Sequence, residues 1–353
     1  MTEPYHKILK SAAIEASAPC RIDMGGTLDI KTFHLPLRRM SPCTVNIAIR
    51  LRTRVRISPW HAGQIKISSA GFDSITLQSD VLSFNNPLGL MFAIADYFGV
   101  SGIHIQIESA SPPRSALGGS SAAGVALVAA LSALFEKTGV KPLTRRQIVW
   151  TAHAIEESVA GVPCGLQDQL AAVYGGVNAW YWKDALSPGG FYRKSLVRKS
   201  ECSDFARHIL AAYSGVPHES KNINGRWVEQ FLAGYTRQLW EGIVIDSRRF
   251  ADAIVSRQYR VAGNIMNTET AARKQMTPDV LNAAGKRLVQ AAKARNCGAR
   301  FTGAGGGGCI WAMGDSNDID RLREDWRKMV AEIPEGCLLD ADIDTDGLQV
   351  TSL

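Results

Sequence analysis

Three groups of polar residues in this chain have the types and the spacing to do chemistry. The first is Pro163-Cys-Gly-Leu-Gln-Asp-Gln169, with Glu156 and Glu157 about a dozen residues before its aspartate. A carboxylate beside a glycine bend, here Asp168, can accept a proton or align a hydroxyl for attack. A carboxylate upstream on a helix can hold Mg2+, which takes one or two carboxylates together with phosphate oxygens and water. The same residues also fit a plainer description, with Glu156 and Glu157 on a solvated helix face and Asp168 capping a short helix. The second group is Ala18-Pro-Cys-Arg-Ile-Asp-Met-Gly-Gly-Thr-Leu-Asp29. It puts Arg21 on a strand before a tight glycine turn, and Asp23 and Asp29 flank that turn as acceptors for ligand hydroxyls. A hairpin with charged flanks would look the same.

The third group is Pro112-Pro-Arg-Ser-Ala-Leu-Gly-Gly-Ser-Ser-Ala-Ala123. An alternating run, Ile103 to Glu108, leads into it as a strand, and an Ala-rich run to Glu136 leaves it as a helix. Gly118 and Gly119 let the backbone approach a ligand closely, and Ser120 and Ser121 are good cap residues. Free N–H groups and the positive end of the helix dipole then favour an anion such as phosphate. An ordinary serine-capped turn is the alternative. A glycine run, Gly303 to Gly308, formally matches G-x-G-x-x-G, but Cys309-Ile-Trp-Ala-Met313 after it reads as a strand. A dinucleotide fingerprint needs a helix there, so a glycine hairpin pressed on a ligand or on backbone is expected. No G-x-x-x-x-G-K-[ST] occurs, which excludes a P-loop NTPase.

The elements that must position these groups follow from periodicity. Strands are expected over 16–24, 43–57, 64–69, 103–108, 177–182, 191–197 and 208–214, and again on both sides of the glycine run and over 336–342. Helices are expected over 87–98, 120–137, 144–159 with Thr144 as cap, 166–174, 219–240, 245–267, 277–295 and 317–331. Residues 1–15 read as a polar lead-in, and Ser187-Pro-Gly-Gly190 as a turn.

A length of 353 residues suits two domains. The polar N-terminus lacks a signal peptide's apolar core, and no apolar run reaches the ~18 residues of a membrane span. A cytoplasmic protein without a membrane partner is therefore expected. Seven cysteines scattered singly fit a reducing compartment and no structural zinc. The net charge of +7 suits an anionic ligand. Its sharpest feature, Ile49-Arg-Leu-Arg-Thr-Arg-Val-Arg-Ile57, reads as a half-buried strand with a solvated arginine face. RNA binding through that face is a rival that a salt-dependent shift assay addresses.

Taken in order, A-P-x-R-[IV]-D…G…D, P-x-x-x-x-G-G-S-S-A-A, E…G-x-P-x-G-x-x-D-Q and G-A-G-G-G-G resemble the GHMP kinases, from about residue 17 to 313. The resemblance implies an α+β two-domain fold. Residues 1–198 would form an N-terminal α/β domain carrying the phosphate loop, and 199–353 a C-terminal ferredoxin-like domain, with the active site in the cleft between. It implies ATP as donor with Mg2+, and a chain that is a monomer or homodimer and binds no nucleic acid. Leu117, Gly118, Gly119, Ser120, Ser121 and Ala122 would wrap the ATP phosphates, and Ser121 with Glu156 would hold the metal. Asp168 would align or deprotonate the acceptor hydroxyl beside Arg21. Gly26, Thr27, Asp29, Gly165, Asp168 and Gly305 would line the acceptor.

The Pro-Cys-Gly-Leu-Gln-Asp-Gln motif is similar to the sugar 1-kinase branch, so a sugar is the expected acceptor. Two departures stand out. Gly25-Gly-Thr-Leu-Asp29 replaces galactokinase's Gly-Glu-His-Thr-Asp, and is more like heptose 7-phosphate kinases and fucokinases. Ala116-Leu-Gly-Gly-Ser-Ser-Ala122 replaces Gly-Leu-Gly-Ser-Ser-Ala. If the acceptor is already phosphorylated, Lys221 and Arg226 are candidates to meet it, although both also fit a surface helix start. A silent sugar and ATP sensor, or a kinase of a non-sugar alcohol, are the alternatives.

Overall fold

The computed structural model describes residues 4–183, 190–218 and 223–352. Its first eight strands in chain order are β1 (Ile14–Met24), β2 (Cys43–Pro59), β3 (Gln64–Ser69), β4 (Phe72–Gln78), β5 (Ile103–Ser109), β6 (Val177–Trp182), β7 (Phe191–Ser195) and β8 (Ile209–Tyr213). The last four are β9 (Gly298–Phe301), β10 (Cys309–Met313), β11 (Cys337–Leu339) and β12 (Gln349–Ser352). One sheet runs β12-β1-β2-β5-β3-β4, with β6 on β2 and β7 on β6. The long β2 pairs with β6 through Cys43–Ile47 and with β5 through Thr53–Pro59, so one strand serves both wings.

The helices Gly119–Glu136 and Gln167–Tyr174 pack on this sheet, and Arg145–Ala160 packs on both of them. Gly119–Glu136 is apolar almost all round because it is the central core helix, with 13 of its residues buried. By length and composition it is long and apolar enough to cross a membrane, contrary to the reading from the sequence, but 72% of it is buried inside the molecule.

The second sheet is antiparallel in the order β11-β8-β10-β9. Counted within this half that is 4-1-3-2, with helices after the first and third strands: a ferredoxin-like arrangement. The alternate residues Cys20, Ile22 and Met24 of β1 join Ala211, Tyr213, Phe250 and Trp311 in one core. This apolar seam holds the two halves together. The chain passes from β7 to β8 between 195 and 209, and β12 then returns to pair with β1 of the first sheet.

Local signals located most elements. Thr144 forms a full capping box with Gln147. The arginine strand has the expected solvated face, with Arg50, Arg52 and Arg54 paired to Asp342, Asp344 and Glu15. Other expectations need correction. The lead-in contains a helix, Pro4–Ser11, that buries Tyr5 and Leu9 one turn apart. The three long helices after 219 are four, Ile223–Leu232, Arg237–Val255, Tyr259–Met276 and Ala283–Ala294. They break at Gly234, at Arg257 with its left-handed φ of 55°, and before Pro278, where packing rather than periodicity sets the ends. Ser120 and Ser121 do not cap: the N-cap is Gly118, left-handed and without a side-chain bond. Residues 187–189 of the expected turn, and Lys221, lie outside the described residues.

Candidate active site

β1 delivers Arg21 to the floor of a cleft between the two sheets, where its amide N–H donates to Leu117 O at 2.9 Å. Its guanidinium forks onto Asp168, with Nε on Oδ1 at 2.7 Å and Nη2 on Oδ2 at 3.0 Å, and Nη1 donates to Ala116 O at 2.7 Å. Burial works against the guanidinium's charge, but Asp168 and Asp23 outweigh it and raise its pKa. A planar fork on a carboxylate fixes both partners' orientation. Asp23 sits one pleat further on, with Oδ1 accepting from Gly303 N at 2.8 Å. Burial opposes its charge too, yet Arg300, Arg21 and that amide hold its carboxyl below the usual range.

The loop from 112 to 119 closes one side. Gly118 has φ +77°, and a Cβ there would stand 3.2 Å from Asp168 Oδ2, so only glycine fits both the conformation and the approach. Arg114 and Ala116 are left-handed as well, an unusual conformation for side-chain-bearing residues and one found at ligand clamps. The helix begins at Gly119, and Ala122 is the first residue whose N–H bonds back, to Gly118 O. The N–H groups of the first turn are left for a ligand, at the positive end of an 18-residue helix.

Ser121 Oγ donates to Glu156 Oε1 at 2.9 Å, and Gln169 Nε2 to Glu156 Oε2 at 2.6 Å. Burial first, then the charge of Asp168, push the Glu156 carboxyl up to about 7 against those two bonds. Among the described residues no three His, Cys, Asp or Glu side chains form a ready metal cage. A hydroxyl and one carboxylate are nevertheless what Mg2+ uses when phosphate oxygens and water complete its shell, so the pair fits that ion.

At the far end, Asp29 Oδ2 accepts from Gln167 N at 3.0 Å, and burial pushes its carboxyl up to about 6. Gly165 packs so tightly on Asp29 that a Cβ would fall 1.8 Å from Oδ2. Thr27 is held at φ 76°. The amide oxygens Gln167 Oε1 and Asn224 Oδ1 are buried here with no hydrogen-bond partner. Burial first, then the carboxylates around it, push the Cys164 thiol up to about 12.

These residues line one cavity of about 580 Å3. Arg21, Thr27, Asp29, Leu117, Gly118, Gly119, Ser120, Ser121, Glu156, Gly165 and Asp168 all lie on it, as the sequence led one to expect. Three expected residues do not. Ala122 faces the core, fully buried. Gly26 supports the wall from behind, its Cβ position taken by Asp23 and Gln167. Gly305 packs on Val280 and Phe301 and accepts from His218 Nδ1 at 2.7 Å, so Gly303 and Ala304 face the cavity in its place. The glycine run is the hairpin expected, with Gly308 against the Ser115 backbone. Arg226 is turned to Asp279 at 3.4 Å on the surface. Reasoning from the sequence missed His218, Asn224 and the apolar wall of Phe72, Leu88, Met91 and Pro113. It also passed over Gln167 and Gln169, although both stand in the motif around Asp168.

A helix N-terminus open to an anion, a hydroxyl–carboxylate pair that fits a cation and a carboxylate locked to a buried arginine are the parts that phosphoryl transfer to a small molecule calls for. Comparison with known families agrees. Residues 85–176 match the GHMP kinases N terminal domain and residues 250–332 match GHMP kinases C terminal. The chain belongs to the GHMP kinases. It is 28% identical over 324 residues to a mevalonate kinase of Thermococcus gammatolerans, covering 84% of this chain and 88% of that one. It is 26% identical over 247 residues to glucuronokinase 1 of Arabidopsis thaliana, covering 66% of this chain but 65% of that protein's length. Among solved structures, galactokinase of Lactococcus lactis complexed with galactose superposes with a TM-score of 0.73 at 17% identity, covering 97% and 95%. A putative sugar kinase from Campylobacter jejuni gives 0.71 at 20%, covering 97% and 98%. At those identities the structures establish the fold alone.

Proposed function

We propose that this chain transfers the γ-phosphoryl group of ATP to a sugar hydroxyl, the anomeric C1 hydroxyl of a galactose-like hexose or a heptose. The observation that carries the reading is the Arg21–Asp168 fork, set between the glycine loop and the turn that bears Asp29. Asp168 accepts or aligns the proton of the acceptor hydroxyl, whose oxygen forms the new O–P bond as the bond to the ADP oxygen breaks. Arg21 keeps that carboxylate oriented and offsets charge as it develops on the phosphoryl oxygens. First-turn amides from Gly118 to Ser121 hold the phosphates. Ser121 and Glu156 would hold Mg2+, which when bound neutralises phosphate charge. Phosphoryl transfer relies chiefly on such positioning and electrostatics.

A polyhydroxylated acceptor is supported by the far end of the cavity. Asp29, Gln167 Oε1 and Asn224 Oδ1 are hydrogen-bond acceptors, and two of them are buried and unpartnered. A buried acceptor without a donor costs about 1–3 kcal/mol, and the O–H groups of a sugar ring relieve it. We place the ATP-binding domain in residues 1–198 and the second domain in 199–353, with β12 returned to the first sheet. A non-sugar alcohol is the second reading, favoured by the longer match to mevalonate kinases.

The test is ADP release with Mg-ATP across free and phosphorylated hexoses and heptoses, glucuronate and mevalonate, with the phosphorylated position read by 31P NMR. Turnover on a sugar at C1 is expected. Turnover on mevalonate alone refutes the sugar reading, and nucleotide binding without turnover on any of them favours a sensor.

A further inference from the structure

The catalytic pair is the end of a longer buried chain of charge. Asp23 Oδ1 faces Arg21 Nη1 at 3.6 Å, and its Oδ2 accepts from Arg300 Nη1 at 2.9 Å. Arg300 Nε reaches Glu269 Oε2 at 3.2 Å, and Glu269 Oε1 accepts from Arg273 Nε at 2.8 Å, one turn along the helix Tyr259–Met276. Arg273 Nη2 then donates to Gly26 O at 2.6 Å, 247 residues away in sequence. The Arg273 guanidinium lies 4.6 and 4.5 Å from the ring centroids of Trp227 and Trp240. Asp23, Glu269, Arg273 and Arg300 are all fully buried.

With Arg21 and Asp168 the chain holds three cations and three anions, so it is neutral as a whole. Buried ion pairs are a poor means of gaining stability, since apolar residues of the same shape often serve as well or better. Their use is in fixing a geometry. What this network fixes is the Gly25–Thr27 turn, where Thr27 is held left-handed on the cavity wall beside Asp29.

We infer that Arg273, supported by Glu269 and Arg300, is a positioning residue for the acceptor: from the second half of the chain it sets the Gly25–Thr27 turn and, through Asp23, the Arg21–Asp168 pair. The inference rests on the acceptor lying at that turn, as proposed above. Nucleotide contacts come from the 112–121 loop, which none of Glu269, Arg273 and Arg300 bonds to. Arg273 touches the acceptor turn directly and reaches that loop only through Arg300, Asp23 and Arg21, so its loss acts first on the acceptor.

The test is steady-state kinetics of Arg273→Met, Arg273→Lys and the double variant Glu269→Leu/Arg273→Met, with Asp29→Asn alongside. Misplacing a substrate-positioning group slightly has a large kinetic effect. Arg273→Met is expected to raise the acceptor KM about tenfold or more while the ATP KM stays within about twofold. Arg273→Lys keeps the charge and one donor, and is expected to recover part of the loss. The double variant removes one cation and one anion. It keeps the buried charge balanced and decides the question if Arg273→Met does not fold. It too is expected to show the raised acceptor KM, because Gly26 O has lost its donor. Equal rises in both KM values, or a loss confined to the folded fraction, would mean a purely structural role and overturn the inference. A raised acceptor KM in Asp29→Asn but not in the Arg273 variants overturns the inference alone. No change in either set overturns the placement of the acceptor as well.

Discussion

Asp168→Asn is the substitution that bears most directly on the mechanism. Asparagine keeps the shape of the side chain but replaces one acceptor oxygen with an NH2 group. In the native site both oxygens are engaged by Arg21, at 2.7 and 3.0 Å. One of those two bonds becomes a donor facing a donor; the guanidinium keeps the other and its bond to Ala116 O at 2.7 Å, but the one carboxylate left beside it is Asp23 at 3.6 Å. Breaking a buried pair costs about 3–5 kcal/mol. Asp168 retains 21% side-chain exposure, so water repairs part of the loss and a destabilisation of about 2 kcal/mol is expected. The rate suffers more. Loss of a positioned proton acceptor lowers kcat by about 10²–10⁴. ATP binding is expected to hold within a few-fold, because the loop amides do not depend on Asp168. ADP release at saturating acceptor, nucleotide titration and a melting curve measure the three quantities separately. Arg21→Met and the Arg21→Met/Asp168→Asn double variant complete a cycle. If the two residues act as one unit, the double variant loses no more than the worse single. Near-normal turnover in Asp168→Asn, or fully additive losses, would refute the reasoning.

Asp29 gives a pH signature. Its carboxyl is raised from 3.8 to about 6, chiefly by burial. The acceptor KM is expected to climb as pH falls through about 6 and Asp29 takes up a proton, and to stay flat in Asp29→Asn. The folded state binds that proton more tightly than the unfolded chain, so ionising Asp29 removes stability as pH rises from about 4 to about 6. Asp29→Asn is thus expected to be more stable at pH 8 by about 3 kcal/mol, with the gap closing near pH 4 in chemical unfolding. Gly165→Ala, whose Cβ would overlap Asp29, is expected to lose acceptor binding while nucleotide titration is unchanged. Ser121→Ala and Glu156→Gln are expected to raise the Mg2+ concentration needed for half-maximal turnover, and an unchanged requirement would place the metal elsewhere.

The sequence by itself determined what is local. The strand–glycine–helix order of 103–136, the Thr144 cap and the hairpin at 303–308 follow from periodicity, cap chemistry and positive φ, each set within a few residues. The order of the four motifs pointed to the family, and with it to a cleft lined by Arg21, Asp29, Ser121, Glu156, Gly165 and Asp168. Tertiary structure decided how those residues meet. Ser121 has the chemistry of a cap and, inside the helix, bonds Glu156 instead, because Gly118 ends the loop in a conformation that leaves no cap role for it. Gly305 and Gly303 are indistinguishable in a run of glycines, and only the approach of Val280 and Phe301 turns the first away from the cavity. Arg273 and Arg300 look like ordinary basic residues on a helix and a strand. Their role emerges from burial, which forces a charge to find its partner wherever in the chain that partner lies.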